Sequence, residues 1–230
     1  MKDYFRKISD KLFNSLENHE ILVLNFDAEK TDFVRFNHSK IRQAGNVNQA
    51  TLTLNLIFKK KTLTSVIRLS TDFEKDSVLL IRTLSYLRRE IPELPKDPYL
   101  MYEKNINSFE QNITGSKLDN YSITGNILDN CHALDMVGIL SSGTIMKGFA
   151  NSLGQFNWHE SESFNFDWSM YAESGKAIKQ NYSDQEWNQE AFSNLLSESK
   201  EKLKVIDNKE IILQPGKYKV YLSPSALNEI

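Results

Sequence analysis

From Ala50 to Phe58 the sequence reads ATLTLNLIF, with apolar residues alternating with Thr and Asn. That period of two predicts a strand with one buried and one wet face. Lys59, Lys60 and Lys61 follow as a turn, and Thr62 to Leu69 (TLTSVIRL) returns along the first run. Two adjoining runs of this kind commit the chain to antiparallel sheet. Ahead of them, Glu20–Phe26 and Thr31–Phe36 read as two further strands, and Ile41–Gly45 continues the meander. An amphipathic helix over Tyr4–Leu16 precedes the strands, because Tyr4, Phe5, Ile8, Leu12, Phe13 and Leu16 recur at helical spacing. Thr71 or Asp72 is placed to cap a second helix from Phe73 to about Arg89, which Pro92, Pro95 and Pro98 end.

The same order then recurs. A helix is expected from about Leu118 to Ala133. Met136–Ser152 and Gln155–Tyr171 read as strands of a second sheet, with turns at Ser141–Gly143 and Leu153–Gly154. Ala177–Tyr182 is another strand, and Asp184 would cap a helix from Gln185 to about Lys204. Tyr218–Leu222 (YKVYL) reads as a last strand, and Ser223 or Ser225 as the start of a short helix. The expectation is an α+β fold of antiparallel sheets covered by helices, in two related helix–strands–helix units. The first unit spans residues 1–98, the polar stretch 99–117 is a linker or loop, and the second unit spans 118–230.

Of the 230 residues, 40% are hydrophobic and the net charge is -2, which excludes a disordered chain. The same balance offers no electrostatic footprint for nucleic acid or an anionic membrane. The charged start MKDYFRKISDKLFNSL has no apolar core of a secretory signal, and no run nears the roughly 20 apolar residues of a membrane helix. Cys131 is the only cysteine, so no internal disulfide forms, in keeping with a cytoplasmic protein.

Catalytic patterns fail residue by residue. None of His19, His38, His132 and His159 has a second histidine within a helical turn, so no zinc-helix spacing is present. Cys131 and His132 point about 100° apart if helical, which does not make a nucleophile–base pair. Glu160 and Glu162 share one strand face, as an acid pair or as a solvated face. Phe33, Phe36, Phe149, Phe156, Trp158, Phe164, Phe166 and Trp168 alternate with polar residues, the pattern of a sheet core, with a peptide groove or subunit interface as the alternative. The glycines around Ser141–Gly143 and Gly148–Gly154 lack the phosphate-loop pattern.

Three stretches, in order, carry a resemblance: FVRFNHSKIRQAGNVNQ (Phe33–Gln49), SSGTIMKGFANSLGQFNWHESESFNFDWSMY (Ser141–Tyr171) and PGKYKVYLSPSALNEI (Pro215–Ile230). Together they resemble the amino-terminal portion of the TldD/PmbA family, the modulators of DNA gyrase. The resemblance implies a zinc metallopeptidase built from two homologous subunits, acting on peptides or unfolded proteins. In the family's catalytic subunit a His-Glu-x-x-x-His helix holds the zinc, beyond the third stretch. The chain stops at Ile230, before that point. The expectation is therefore a half that shapes the substrate chamber and meets a homologous subunit, binds no cofactor itself and is inactive alone. Arg35, Asn37, Arg42, Gln43, Phe149, Asn151, Trp158 and Glu160 are the candidates for groove or interface. The rival expectation is a non-catalytic partner subunit or a stand-alone binding or scaffold protein of the same fold.

Overall fold

A computed structural model describes residues 1–113, 119–228 and 230 of the chain. The first unit is α1 (Lys2–Phe13), β1 (Glu20–Asn37), β2 (Lys40–Phe58), β3 (Lys61–Leu69) and α2 (Phe73–Glu90). A short strand β4 (Glu110–Ile113) follows. The second unit is α3 (Asn120–Cys131), β5 (Met136–Asn151), β6 (Phe156–Tyr171), β7 (Ala177–Asp184) and α4 (Gln189–Ile206), and a single turn of helix, α5, covers Pro224–Leu227.

All seven strands join one sheet in the order β3-β2-β1-β5-β6, with β4 and β7 sharing the far edge of β6. The second sheet expected from the sequence is thus part of the first. The seam is the antiparallel ladder between β1 and β5, running from Val23 opposite Asn151 to Phe36 opposite Gly138. Antiparallel neighbours related by a two-fold axis normal to the sheet keep equivalent side chains on the same face. Accordingly, the even-numbered residues of β1, β2, β5 and β6 supply the core beneath the helices, and the odd-numbered ones form a face that no helix among the described residues covers.

The two units match position by position. Glu20 and Met136 begin β1 and β5, Lys40 and Phe156 begin β2 and β6, Lys61 and Ala177 begin β3 and β7, and Phe73 and Gln189 begin α2 and α4. Every pair lies 116 positions apart. The helix caps keep that spacing: the side chain of Asp72 accepts from the Glu74 and Lys75 amides, and that of Asn188 from Ala191. Asp184, the cap expected from the sequence, lies instead in β7. Within the paired helices Leu79 and Leu80 correspond to Leu195 and Leu196. Thr83 and Ser199 each turn a buried hydroxyl back onto the carbonyl four residues earlier.

Two cores lie under the helices. α1 and α2 cover Leu22, Leu24, Phe26, Leu52, Leu54 and Leu56, while α3 and α4 cover Phe36, Leu140, Phe164, Phe166 and Trp168. The aromatic run Phe156–Trp168 is therefore core on its even side. Gly148 marks where α1 comes down on the sheet: a Cβ there would sit 2.5 Å from the Phe5 ring.

Two polar links hold the first unit. Arg88 makes a two-pronged bond to Glu20 (2.7 and 2.8 Å) and also donates to the Ser15 carbonyl. Buried Asp76 accepts from the Tyr4 hydroxyl (2.6 Å) and from the Ser70 amide and hydroxyl, tying α1 to the start of α2.

Several elements differ from the sequence reading. Glu20–Phe26 and Thr31–Phe36 are one strand, because Asp27 to Lys30 keep the alternation and contain no breaker. The meander 41–45 and the run 50–58 are likewise one strand. The expected turn at Ser141–Gly143 is straight ladder against β1. β4 lies within the segment expected to be a loop, while residues 114–117 of that segment and Leu118 lie outside the described residues. Tyr218–Leu222 is exposed and, among the described residues, pairs with no strand. Ser223 caps α5 as expected. Among the described residues no helix is long and apolar enough to cross a membrane.

Candidate functional site

Alternation leaves the uncovered face with Asn25, Asp27, Phe33 and Arg35 from β1, Val137, Ile139, Lys147 and Phe149 from β5, and Asn157, His159, Asp167 and Ser169 from β6. Two concavities occupy opposite ends of this three-strand strip. The one near the β1–β2 turn encloses about 580 Å³ and is lined by Arg35, Asn37, Arg42, Val137, Gly138, Ile139, Asp167, Ser169 and Lys179, over Phe36 and Trp168.

A local irregularity brings Arg42 into this lining. Arg35 pairs with Gln43, yet Phe36 pairs with Ile41, so Arg42 is the extra residue of a bulge and stands with Gln43 across from Arg35. Bulges re-aim side chains, and here the result is two guanidinium groups at one end of the sheet. Lys179 arrives separately through β7, whose Lys179 pairs with Ser169. The three cations face one carboxylate, Asp167, which already accepts from Asn181 (3.2 Å) and Asn165 (3.4 Å). The Arg35 guanidinium also lies 5.8 Å from the centre of the Phe33 ring. With Val137 and Ile139 between the charged groups, the concavity is suited to a ligand with an apolar body and a negative group.

The second concavity, of about 440 Å³, is lined by Asn25, Asp27, Phe109, Lys147, Phe149, Asn157, Trp158 and His159. Its charges are matched, since Lys147 and Asp27 pair at 3.1 Å.

The structure thus brings Arg35, Asn37 and Arg42 together and sets Phe149 apart from them, in the second concavity. Gln43 lies on the exposed strand edge beside the first. The Trp158 ring is buried against Phe5 and Phe26, and its Nε1 donates to Glu160 at 3.2 Å. Asn151 is buried and its side-chain oxygen accepts from the Leu153 and Gln155 amides, which shapes the β5–β6 turn. Asp167 and Lys179 escaped sequence reasoning. Their only signal is odd-numbered placement on strands whose neighbours are set by long-range pairing.

Catalytic groupings are a different matter. Among the described residues no three His, Cys, Asp or Glu side chains converge in a way that would hold a metal. The donors for the zinc implied by the family resemblance are thus not among them, and no chemical step is assigned to it. Cys131 is fully buried, and burial pushes its thiol up to about 11, away from the reactive thiolate.

No family model matches the sequence, and no curated protein matches it. Solved structures do match. A putative modulator of a DNA gyrase from Thermotoga maritima superposes with a TM-score of 0.61 at 14% identity, covering 85% of this chain and 47% of that one. TldE from Thermococcus kodakarensis gives 0.57 at 12%, covering 87% and 47%. A putative modulator of DNA gyrase from Bacteroides thetaiotaomicron gives 0.55 at 10%, covering 88% and 50%. This chain has their fold. It spans about half the length of the structures it matches. The likeness takes in 85–88% of the chain, and at these identities it speaks for the fold alone.

Proposed function

We propose that this chain is the amino-terminal half of a TldD/PmbA-type metallopeptidase assembly, in which it shapes the substrate chamber and contacts a homologous subunit. The observation that supports this reading is the match of both units of the sheet, over 85% or more of the chain, to about half of TldE and of two modulators of DNA gyrase. The three sequence stretches that resemble the family lie at the β1–β2 turn region, the β5–β6 hairpin and the segment around α5. On this reading the work of the chain is to bind and position. The uncovered face, with its charged concavity and half-buried aromatics, is a wall for an extended peptide, and bond cleavage belongs to a zinc site supplied by the rest of the assembly.

The test is reconstitution. A tagged form of this chain is mixed with a TldD-type subunit carrying His-Glu-x-x-x-His, and co-elution and hydrolysis of an unstructured fluorogenic peptide are measured. Co-elution, with hydrolysis increased by the chain, is the expected result. Separate elution together with unchanged hydrolysis would overturn the proposal and leave a stand-alone binding protein as the better account.

A further inference from the structure

The two-fold relation between the units has one conspicuous break. β7 reaches only the second half of β6, from Phe164 onward, and β3 reaches only the corresponding part of β2, from Ala50 onward. Each long strand therefore has a leftover half-edge. On β6 it is filled: β4 lies parallel to it, with Glu110 opposite Trp158 through Ile113 opposite Ser161. On β2 the equivalent half-edge, residues 40–49, has no neighbour on its outer side among the described residues, and most of it is exposed.

The filled site shows how such an edge takes a strand. The Trp158 amide donates to the Phe109 carbonyl at 3.0 Å and the Phe156 amide donates to the Ser108 hydroxyl at 3.0 Å, so the even-numbered amides of β6 point outward. Side chains complete the hold, because Lys2 (2.8 Å) and Arg6 (2.9 Å) of α1 clamp Glu110 of β4. The residues 116 positions earlier on β2 are again even-numbered, which turns the amides of Ala44, Asn46 and Asn48 outward.

Exposed edges are commonly guarded by lysine, proline or a bulge. Here Lys40 and the bulge at Arg42 guard only the tip. Gln43 to Gln49 (QAGNVNQ) contains no charge and no proline, and its ladder to β1 is regular.

The geometry points to this half-edge as an acceptor for an extended, acidic segment of another protein, running parallel to β2 as β4 runs along β6. Charge selects the occupant. Lys40, Arg42 and Arg35 cluster at the tip end, the acids nearest the edge (Asp32 and Glu29 of β1) lie behind Asn46 and Gln49 away from that tip, and the strand on the equivalent edge is gripped through its glutamate. Pairing with the same edge of a second copy brings no acid to these cations. The exposed Tyr218–Leu222 stretch of another copy fits no better, as it contributes Lys219.

The proposal does not depend on the peptidase reading. Its test uses the whole chain and a fluorescein-labelled peptide alternating glutamate with valine, followed by fluorescence polarisation, with a lysine–valine peptide as control. The acidic peptide should bind and the basic one should not, with binding weakened by added salt. Asn46→Pro removes one outward amide while leaving the ladder to β1 intact, and should weaken binding about tenfold. Arg42→Glu should weaken the acidic peptide and admit the basic one, and it keeps the test decisive should the proline variant fold poorly. Equal binding of both peptides, or acidic-peptide binding unchanged by either substitution, would overturn the inference. So would light scattering that shows a dimer of the chain abolished by Asn46→Pro, which would assign the edge to a second copy.

Discussion

The core of the first unit is chiefly leucine, with Phe5 stacked on Phe26 and buried polar links beside it, whereas that of the second is chiefly aromatic. The polar links are Arg88–Glu20 and Tyr4–Asp76. Under α3 and α4, Phe166 stacks on Trp168 with ring centres 4.7 Å apart, and Phe192, Trp187, Phe164 and Tyr182 complete the cluster. The difference teaches that the shared architecture constrains where apolar side chains point and how far apart the elements lie, and leaves the kind of apolar residue free.

The largest effects should come from emptying either core. Phe166→Ala should cost about 3–5 kcal/mol and Leu54→Ala about 2–5 kcal/mol, read as shifts of the urea midpoint. If one unit is merely docked on the other, the two variants will show separate transitions. One shared transition is expected, because the seam ties the units through both central strands.

Breaking the polar links should act first on the first unit. Arg88→Met leaves Glu20 buried without its partner and should cost about 2–3 kcal/mol. Hydrogen exchange should show the largest loss of protection in α2 and the start of β1.

Acid sharpens the same contrast. Burial raises the Glu20 carboxyl, but the hydrogen bonds and charge of Arg88 outweigh it and hold the group below its usual range. Burial likewise opposes ionisation of Asp76, and the bonds from Tyr4 and Ser70 overcome it. Both groups have folded values lower than unfolded ones. The stability they contribute is therefore complete above the ordinary carboxylate range of about 4 and is lost as pH falls through the lower folded values. Exchange protection in α1, β1 and α2 should decline first as pH falls from about 5 to about 3. Tyr4→Phe should flatten this dependence and cost about 0.5–1.5 kcal/mol near neutral pH.

The smallest effect is a gain. Gly125 lies in the middle of α3, and a Cβ added there would meet no atom within 4 Å, so Gly125→Ala should stabilise by about 0.4–1 kcal/mol. A thermal melt unchanged or lowered would show that α3 contributes less helix to the folded state than α2.

Much of this could be read from the sequence where local chemistry decides the outcome. The β2–β3 hairpin shows in its alternation and its lysine turn, and α2 shows in Asp72 and the prolines beyond it. What failed depends on partners distant in sequence. β4 is four mostly polar residues that become a strand because β6 offers an edge, and Tyr218–Leu222 has the right alternation yet pairs with no strand among the described residues. The site divides the same way. Arg35, Asn37 and Arg42 lie within one hairpin and could be named together, whereas Asp167 and Lys179 join them only through the β5–β6 and β6–β7 registers.

The seam between β1 and β5 has a consequence for synthesis. β1 acquires β2 and then β3 beyond it as soon as Leu69 has emerged, but its other neighbour is complete only at Asn151. At ribosomal rates that gap lasts about 4–16 s. For that interval a nascent three-stranded sheet presents the whole Val23–Phe36 edge unpaired. During that time the edge is open to pairing with other chains, a hazard that the stability of the finished fold does not report.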